Sequence, residues 1–65
     1  MTDATWDLCI GTIKRSWKLK AREALFYVRT TDLQPLRDRL IDAGYSVHVI
    51  SIATDTGATK IAIRW

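Results

Sequence analysis

The sequence predicts a two-layer α+β domain in which one helix covers one face of a mainly antiparallel four-stranded sheet, in the chain order ββαββ. Three observations predict this fold. Residues 6–14 alternate in part and an aromatic, β-branched stretch follows before residue 31, helical periodicity with cap signals occurs between residues 31 and 44, and a β-branched apolar stretch, a turn and an alternating stretch follow. At 65 residues the chain forms one small domain, residues 1–65.

The first predicted hairpin lies before residue 31. Trp6, Leu8 and Ile10 alternate with less apolar neighbours, which predicts a strand from Trp6 to Lys14. A second extended stretch follows from Trp17 to Thr30, and it is aromatic and β-branched from about residue 24 onward. Residues 19–25, LKAREAL, are good helix formers, so a helix over residues 18–25 is the alternative.

The helix is predicted between residues 31 and 44. Thr31 or Asp32 can cap its first amides, and Thr31 with Gln34 forms a possible capping box. Pro35 suits the first turn, and Gly44 can end the helix in the left-handed conformation. The apolar stripe has the spacing of one helix face and consists of Leu33, Leu36, Leu40 and Ile41.

The second predicted hairpin completes the sheet. Residues 45–53, YSVHVISIA, form one strand, residues 54–57 form a turn with Gly57 at a positive φ, and residues 58–65, ATKIAIRW, form the last strand.

One helix covers only one sheet face, yet several strands carry apolar residues on both sides. A β-bulge near Val49 and Ile50 is one explanation. The other is that the far face packs on a second copy of the chain or on a target protein. The second explanation predicts a homodimer interface that includes Tyr27, Ile50, Ile52 and Trp65.

Few residues could perform chemistry. His48 is the single histidine and Cys9 the single cysteine, so one copy can form neither a disulfide nor a cysteine-rich zinc site. The three glycines are widely spaced and form no phosphate-binding loop. Asp38 and Asp42 share a helix face, but Arg37 and Arg39 beside them indicate a solvated charged surface. We expect no catalysis, no metal and no cofactor.

The location of the protein is predicted from what the sequence lacks. The first residues show no signal peptide, and no apolar run approaches the roughly 20 residues that span a bilayer. A lone cysteine fits a reducing compartment. We therefore expect a soluble, cytoplasmic protein.

The strongest functional signal is the segment KRSWKLKAR, residues 14–22, which carries five positive charges and no acid in a chain of net charge +3. On an extended strand, Lys18, Lys20 and Arg22 would form a row of cations, and an accessible Trp17 could stack on a base. The predicted nucleic-acid contacts are Lys14, Arg15, Trp17, Lys18, Lys20 and Arg22, extended by Arg29 or Arg64.

The expected function is therefore that of a small basic binding protein that contacts DNA or RNA through this segment. The alternative is a protein-binding inhibitor or adaptor, for example a phage or mobile-element protein that blocks a host defence complex, like an anti-CRISPR protein in format. The same surface could contact a protein, or the cations could serve solubility alone by blunting a sheet edge.

Overall fold

The computed structural model describes residues 2–53 and 55–65, and in this part the order of elements is α-β-α-β-β. The elements are α1 (Asp3–Lys18), β1 (Glu23–Arg29), a 3-10 turn (Thr30–Asp32), α2 (Leu33–Asp42), β2 (Ser46–Ala53) and β3 (Ala58–Arg64). The α+β class and the antiparallel sheet are confirmed. The ββαββ order with four strands is not, because the described residues form three strands and the first element is a helix.

Helix α1 replaces the predicted strand at residues 6–14, which was wrong. Its buried face follows the helical period: Cys9 and Ile13 are fully buried, and Trp6 and Ile10 pack beside them. Leu8, which suggested an alternating strand, is 67% exposed. The side-chain oxygen of Thr2 accepts a hydrogen bond from the Thr5 amide, so the helix also has an N-terminal cap.

The end of α1 explains why the segment after it is not a longer strand. Lys20 has φ 59, its amide donates to the Trp17 carbonyl at 2.9 Å, and the Ala21 amide donates to the Ser16 carbonyl at 3.0 Å. These two bonds form a Schellman motif, which reverses the chain at the helix C-terminus. The extended stretch predicted from Trp17 therefore begins only at residue 23, and the alternative helix over residues 18–25 is also absent.

Helix α2 confirms the predicted helix, with a 3-10 turn before it. Leu36 and Leu40 are fully buried. Gly44 has φ 94 and ends the helix as predicted, since the amides of Gly44 and Tyr45 donate to Ile41 and Leu40. The side chain of Gln34 does not return to the preceding turn as a capping box requires, because its Nε2 donates to Asp38 Oδ1 at 3.0 Å.

The sheet has the order β1-β3-β2, and β3 pairs antiparallel with both neighbours. The second hairpin is confirmed, and Gly57 has φ 68 as its turn requires, while Thr54 of that turn lies outside the described residues. Cross-strand partners share a face. Phe26, Ile61 and Val49 form one row of the inner face, and Leu25, Ala62 and His48 form one row of the outer face.

The predicted bulge in β2 is also confirmed. The register shifts between Val49, which pairs with Ile61, and Ser51, which pairs with Lys60. Ile50 is the extra residue, and Ile52 then shares the face of Val49. The bulge accounts for the change of side of the apolar residues along β2, while Val49, Ile50 and Ile52 remain about half exposed.

Both helices contribute to one core on the inner face of the sheet. Its fully or nearly fully buried apolar residues are Cys9, Ile13, Ala24, Val28, Leu36, Leu40, Ile61 and Ile63. The one buried polar side chain in the described part is Thr59, whose hydroxyl bonds that of Thr30 at 2.9 Å. Neither helix has the length and apolar character that crossing a membrane would need.

Candidate nucleic-acid interface

The basic segment, residues 14–22, lies at the end of the molecule where α1 stops and β1 starts. Lys14, Arg15 and Lys18 occupy the last turns of α1, Lys20 is the left-handed residue of the Schellman motif, and Arg22 precedes β1. The predicted row of cations along a strand is therefore not formed. Instead, the same charges lie on the end of α1 and on the turn that follows it.

The five cations of this segment are exposed, and none has a carboxylate oxygen within 4.0 Å among residues 2–53 and 55–65. Three arginines elsewhere differ in this respect: Arg37 lies 3.9 Å from Asp38, Arg39 lies 3.9 Å from Asp3, and Arg64 has its own acidic partner. The positive charge of the basic segment is thus not compensated by an acid of the described residues. A polyanion could neutralise it.

An aromatic cluster adjoins the basic segment. The rings of Trp17 and Trp65 meet edge to face with centroids 6.1 Å apart, and Trp65 meets Tyr45 in the same way at 6.2 Å. The Trp65 amide donates to the Arg22 carbonyl at 3.3 Å, which ties the chain end to the start of β1. Trp17 remains 49% exposed. The exposed Trp17 ring is therefore held in one orientation by its aromatic neighbours, within the segment that carries the cations.

Tyr45 is the member of this cluster that the sequence reasoning missed. It follows Gly44 directly and occupies the C″ position of the second Schellman motif. A residue at C″ commonly makes a hydrophobic contact there, so the Gly-Tyr pair was the signal that could have identified it.

Arg64 and Arg29, the two predicted extensions of the surface, have different positions. Arg64 pairs with Glu23 in the sheet register, and its Nε donates to Glu23 Oε2 at 2.6 Å. It lies at the same end as Arg22, but its charge is paired. Arg29 is the last residue of β1, six residues and about 20 Å from Glu23 at the strand rise, and is therefore separated from the basic segment.

The four predicted interface residues do not form one surface. Tyr27 is on the outer face of β1, with Lys60 Nζ 5.7 Å from its ring centroid. Ile50 and Ile52 lie on β2, which β3 separates from β1 by two strand spacings of about 4.8 Å each. Trp65 belongs to the aromatic cluster. Only Ile50, Ile52 and the neighbouring Val49, each about half exposed, share one edge of the sheet.

Cys9 and His48, the two residues considered for chemistry, lie in different parts of the fold. Cys9 is fully buried in the core, and burial raises the pKa of its thiol to about 11. His48 is exposed on the outer face of β2. Residues 2–53 and 55–65 contain no cavity and no group of three His, Cys, Asp or Glu placed to hold a metal ion.

Comparison with known proteins gives no further guide to this surface. The chain matches no family model, no curated protein and no solved structure.

Proposed function

We propose that the protein is a non-enzymatic binding protein of the cytoplasm that holds a nucleic acid by its phosphates through residues 14–22. One observation carries the proposal: five exposed cations lie within nine residues, and no carboxylate of the described part of the chain is within 4.0 Å of any of them. Neutralising phosphates with such cations releases condensed counterions, which is the dominant source of sequence-independent binding.

The helix end offers a competing role for part of this charge. Arg15 and Lys18 are in the last turn of α1, where a cation is favourable by about 0.3–1 kcal/mol because the helix C-terminus carries partial negative charge. Lys20 and Arg22 lie beyond the last turn of the helix, where this effect falls off. Substitution of the cations therefore distinguishes the two roles, because a helix role alters stability while a phosphate role alters binding.

The experiment measures binding of a fluorescently labelled oligonucleotide by anisotropy as a function of salt. If four or five cations contact phosphates, the slope of log K against log salt is about −3 to −4.5, the shallower value applying to single strands. The triple variant Lys18→Glu, Lys20→Glu, Arg22→Glu is expected to lose binding at low salt.

A charge-matched control makes this result specific. The triple variant Arg29→Glu, Arg37→Glu, Lys60→Glu changes the net charge equally but lies outside the basic segment. It should retain binding with a small general loss from the lower net charge. Equal binding by both triple variants, or an unchanged affinity in the first, would reject the assignment of this surface.

A second candidate function, self-association, rests on the free edge of β2. Within residues 2–53 and 55–65 this strand is paired on one side only, and Val49, Ile50 and Ile52 are 49%, 51% and 56% exposed there. A second copy could extend the sheet by pairing β2 with β2 about a two-fold axis. Three half-exposed side chains are far short of the roughly 800 Å² per partner of a stable interface, so the association would be weak.

Sedimentation velocity across a wide range of protein concentration tests this second candidate. The mean mass should rise with concentration, and Ile52→Lys should abolish the rise, while Leu8→Lys on α1 should not. A mass that stays monomeric at every concentration contradicts self-association. Specific recovery of one host protein by nuclease-treated pull-down, lost in Ile52→Lys, would instead favour the inhibitor or adaptor role.

A further inference from the structure

We infer that the nucleic acid is single-stranded and that one of its unpaired bases stacks on Trp17. This inference rests on the proposed function, because it concerns the ligand of the same surface. It adds the substrate class, which the charge of residues 14–22 alone does not specify.

The first observation is the way in which Trp17 is held. Half of its side chain is exposed beside Lys18 and Lys20, while Trp65 contacts its ring edge to face at 6.1 Å. Trp65 is itself held by Tyr45 and by the bond from its amide to the Arg22 carbonyl. An exposed tryptophan with such support loses little side-chain freedom on binding, so stacking on a base meets a small entropic cost.

The second observation is the shape of the charged surface. The basic segment is not a β-strand that could enter the groove of a duplex, because its cations lie on the end of a helix and on the turn after it. Lys14 and Lys18 are only about 6 Å apart along the axis of α1. Asp7 lies on the same face of the helix, two turns closer to the N-terminus than Lys14. The basic surface is therefore short and ends where an acid would repel phosphate.

A short surface and an exposed ring suit a flexible strand better than a rigid duplex. A single strand can bend its phosphates around the helix end and present a base face to Trp17 at the same time. A duplex keeps its base faces stacked inside, so none is available to Trp17 unless a base pair opens. Both features therefore favour a single strand.

The test compares three labelled ligands of equal length: a 12-nucleotide oligo(dT), the same strand in a duplex with oligo(dA), and a 12-unit abasic strand. Oligo(dT) and the abasic strand carry the same number of phosphates, while the duplex carries twice as many, so phosphate contacts alone would favour the duplex. Because one stacked base contributes about 5- to 150-fold in affinity, oligo(dT) should bind tighter than the abasic strand by that factor. It should also bind tighter than the duplex. The abasic comparison uses the unaltered protein, so it does not depend on how any variant folds.

Tryptophan variants then assign the stacking residue. Trp17→Ala should lower oligo(dT) affinity to that of the abasic strand and leave abasic binding unchanged, while Trp17→Phe should keep most of the preference. Quenching of tryptophan fluorescence by oligo(dT) should disappear in Trp17→Phe and persist in Trp6→Phe, since Trp6 lies under Arg39, 4.2 Å from its ring centroid.

The outcomes separate the two proposals. Equal affinity for the three ligands, or a tighter duplex, overturns the single-strand inference while the proposed function stands. No binding to any ligand at low salt overturns the proposed function and this inference together. A preference for oligo(dT) that Trp17→Ala leaves intact overturns the assignment of the stacking base to Trp17.

Discussion

Replacing Lys20 by glycine should stabilise the protein, because Lys20 is the non-glycine residue with a positive φ, 59, in the described chain. The left-handed conformation costs an L-residue about 1–2 kcal/mol, which glycine avoids. Glycine in turn loses about 0.5–1 kcal/mol more conformational freedom on folding. The net gain is about 0.5–1 kcal/mol, which in a domain of this size raises Tm by about 2–8 °C.

The two Schellman motifs of this fold provide matched controls. Lys20→Ala removes the charge but keeps the Cβ, so its stability should stay close to that of the parent protein. Gly44→Ala introduces the penalty at the equivalent position of α2, where φ is 94 and an added Cβ meets no atom within 4 Å. It should therefore lose about 1 kcal/mol or more through the backbone alone. Urea and thermal unfolding measure all three variants.

Lys20→Gly and Lys20→Ala both lack the charge and differ only in the Cβ, so equal stability of the two would contradict a cost of the left-handed backbone at residue 20. A neutral Gly44→Ala would contradict it at the end of α2. Lys20→Gly also tests binding, because it removes one phosphate contact. The slope of log K against log salt for oligonucleotide binding should become shallower by about 0.7–0.9.

Three further predictions concern the core and the edge of the interface. The buried Cys9 thiol stays protonated in the folded state, so stability should be full below pH 9, the ordinary pKa, and fall toward pH 11 by about 2–3 kcal/mol; in urea titrations over this range the stability advantage of the parent over Cys9→Ala should shrink by that amount, and a constant difference would contradict this. Thr59→Val should cost only about 0.5–1.5 kcal/mol in urea unfolding, because Thr30, its hydroxyl partner at 2.9 Å, is exposed and can bond water; a loss above 3 kcal/mol would contradict this. Glu23→Gln should change the free energy of unfolding by less than about 1 kcal/mol, because its ion pair with Arg64 is at the surface. It should also steepen the salt slope of oligonucleotide binding by about 0.7, because it frees Arg64 to contact a phosphate. An unchanged slope would exclude Arg64 from the surface.

The second half of the chain was predictable because its signals are local. Pro35 and Gly44 mark the ends of α2, and the turn glycine at 57 lies between two β-branched stretches. Even the bulge at Ile50 follows from apolar residues that change sides along one strand. In each case neighbouring residues within one element decide the conformation.

The first half was not predictable in the same way. Trp, Ile, Cys and Thr have low helix propensity, and with Gly11 they weaken the helical signal of residues 3–18. The spacing of Trp6, Cys9, Ile10 and Ile13 did fit a helix face, but Leu8 made an alternating interpretation equally consistent. The end of α1 was hidden too, because Lys20 stands where a glycine would have marked it.

For the candidate surface too, some features follow from the sequence and others depend on the tertiary structure. The positive charge of residues 14–22 and the presence of Trp17 within it are properties of the sequence, whatever the backbone does. The pairing of Arg64 with Glu23, the separation of Arg29 and the support of Trp17 by Trp65 depend on which strands become neighbours.

Composition and local pattern by themselves determined the α+β class, helix α2, the second hairpin and the basic character of one segment. The tertiary structure alone decided that α1 is a helix, that β3 is the central strand, and that the cations gather beside the aromatic cluster. The physical reason is that weak local preferences around Leu8 are overridden by burial of Cys9 and Ile13 against the inner face of the sheet, an interaction between residues far apart in the chain.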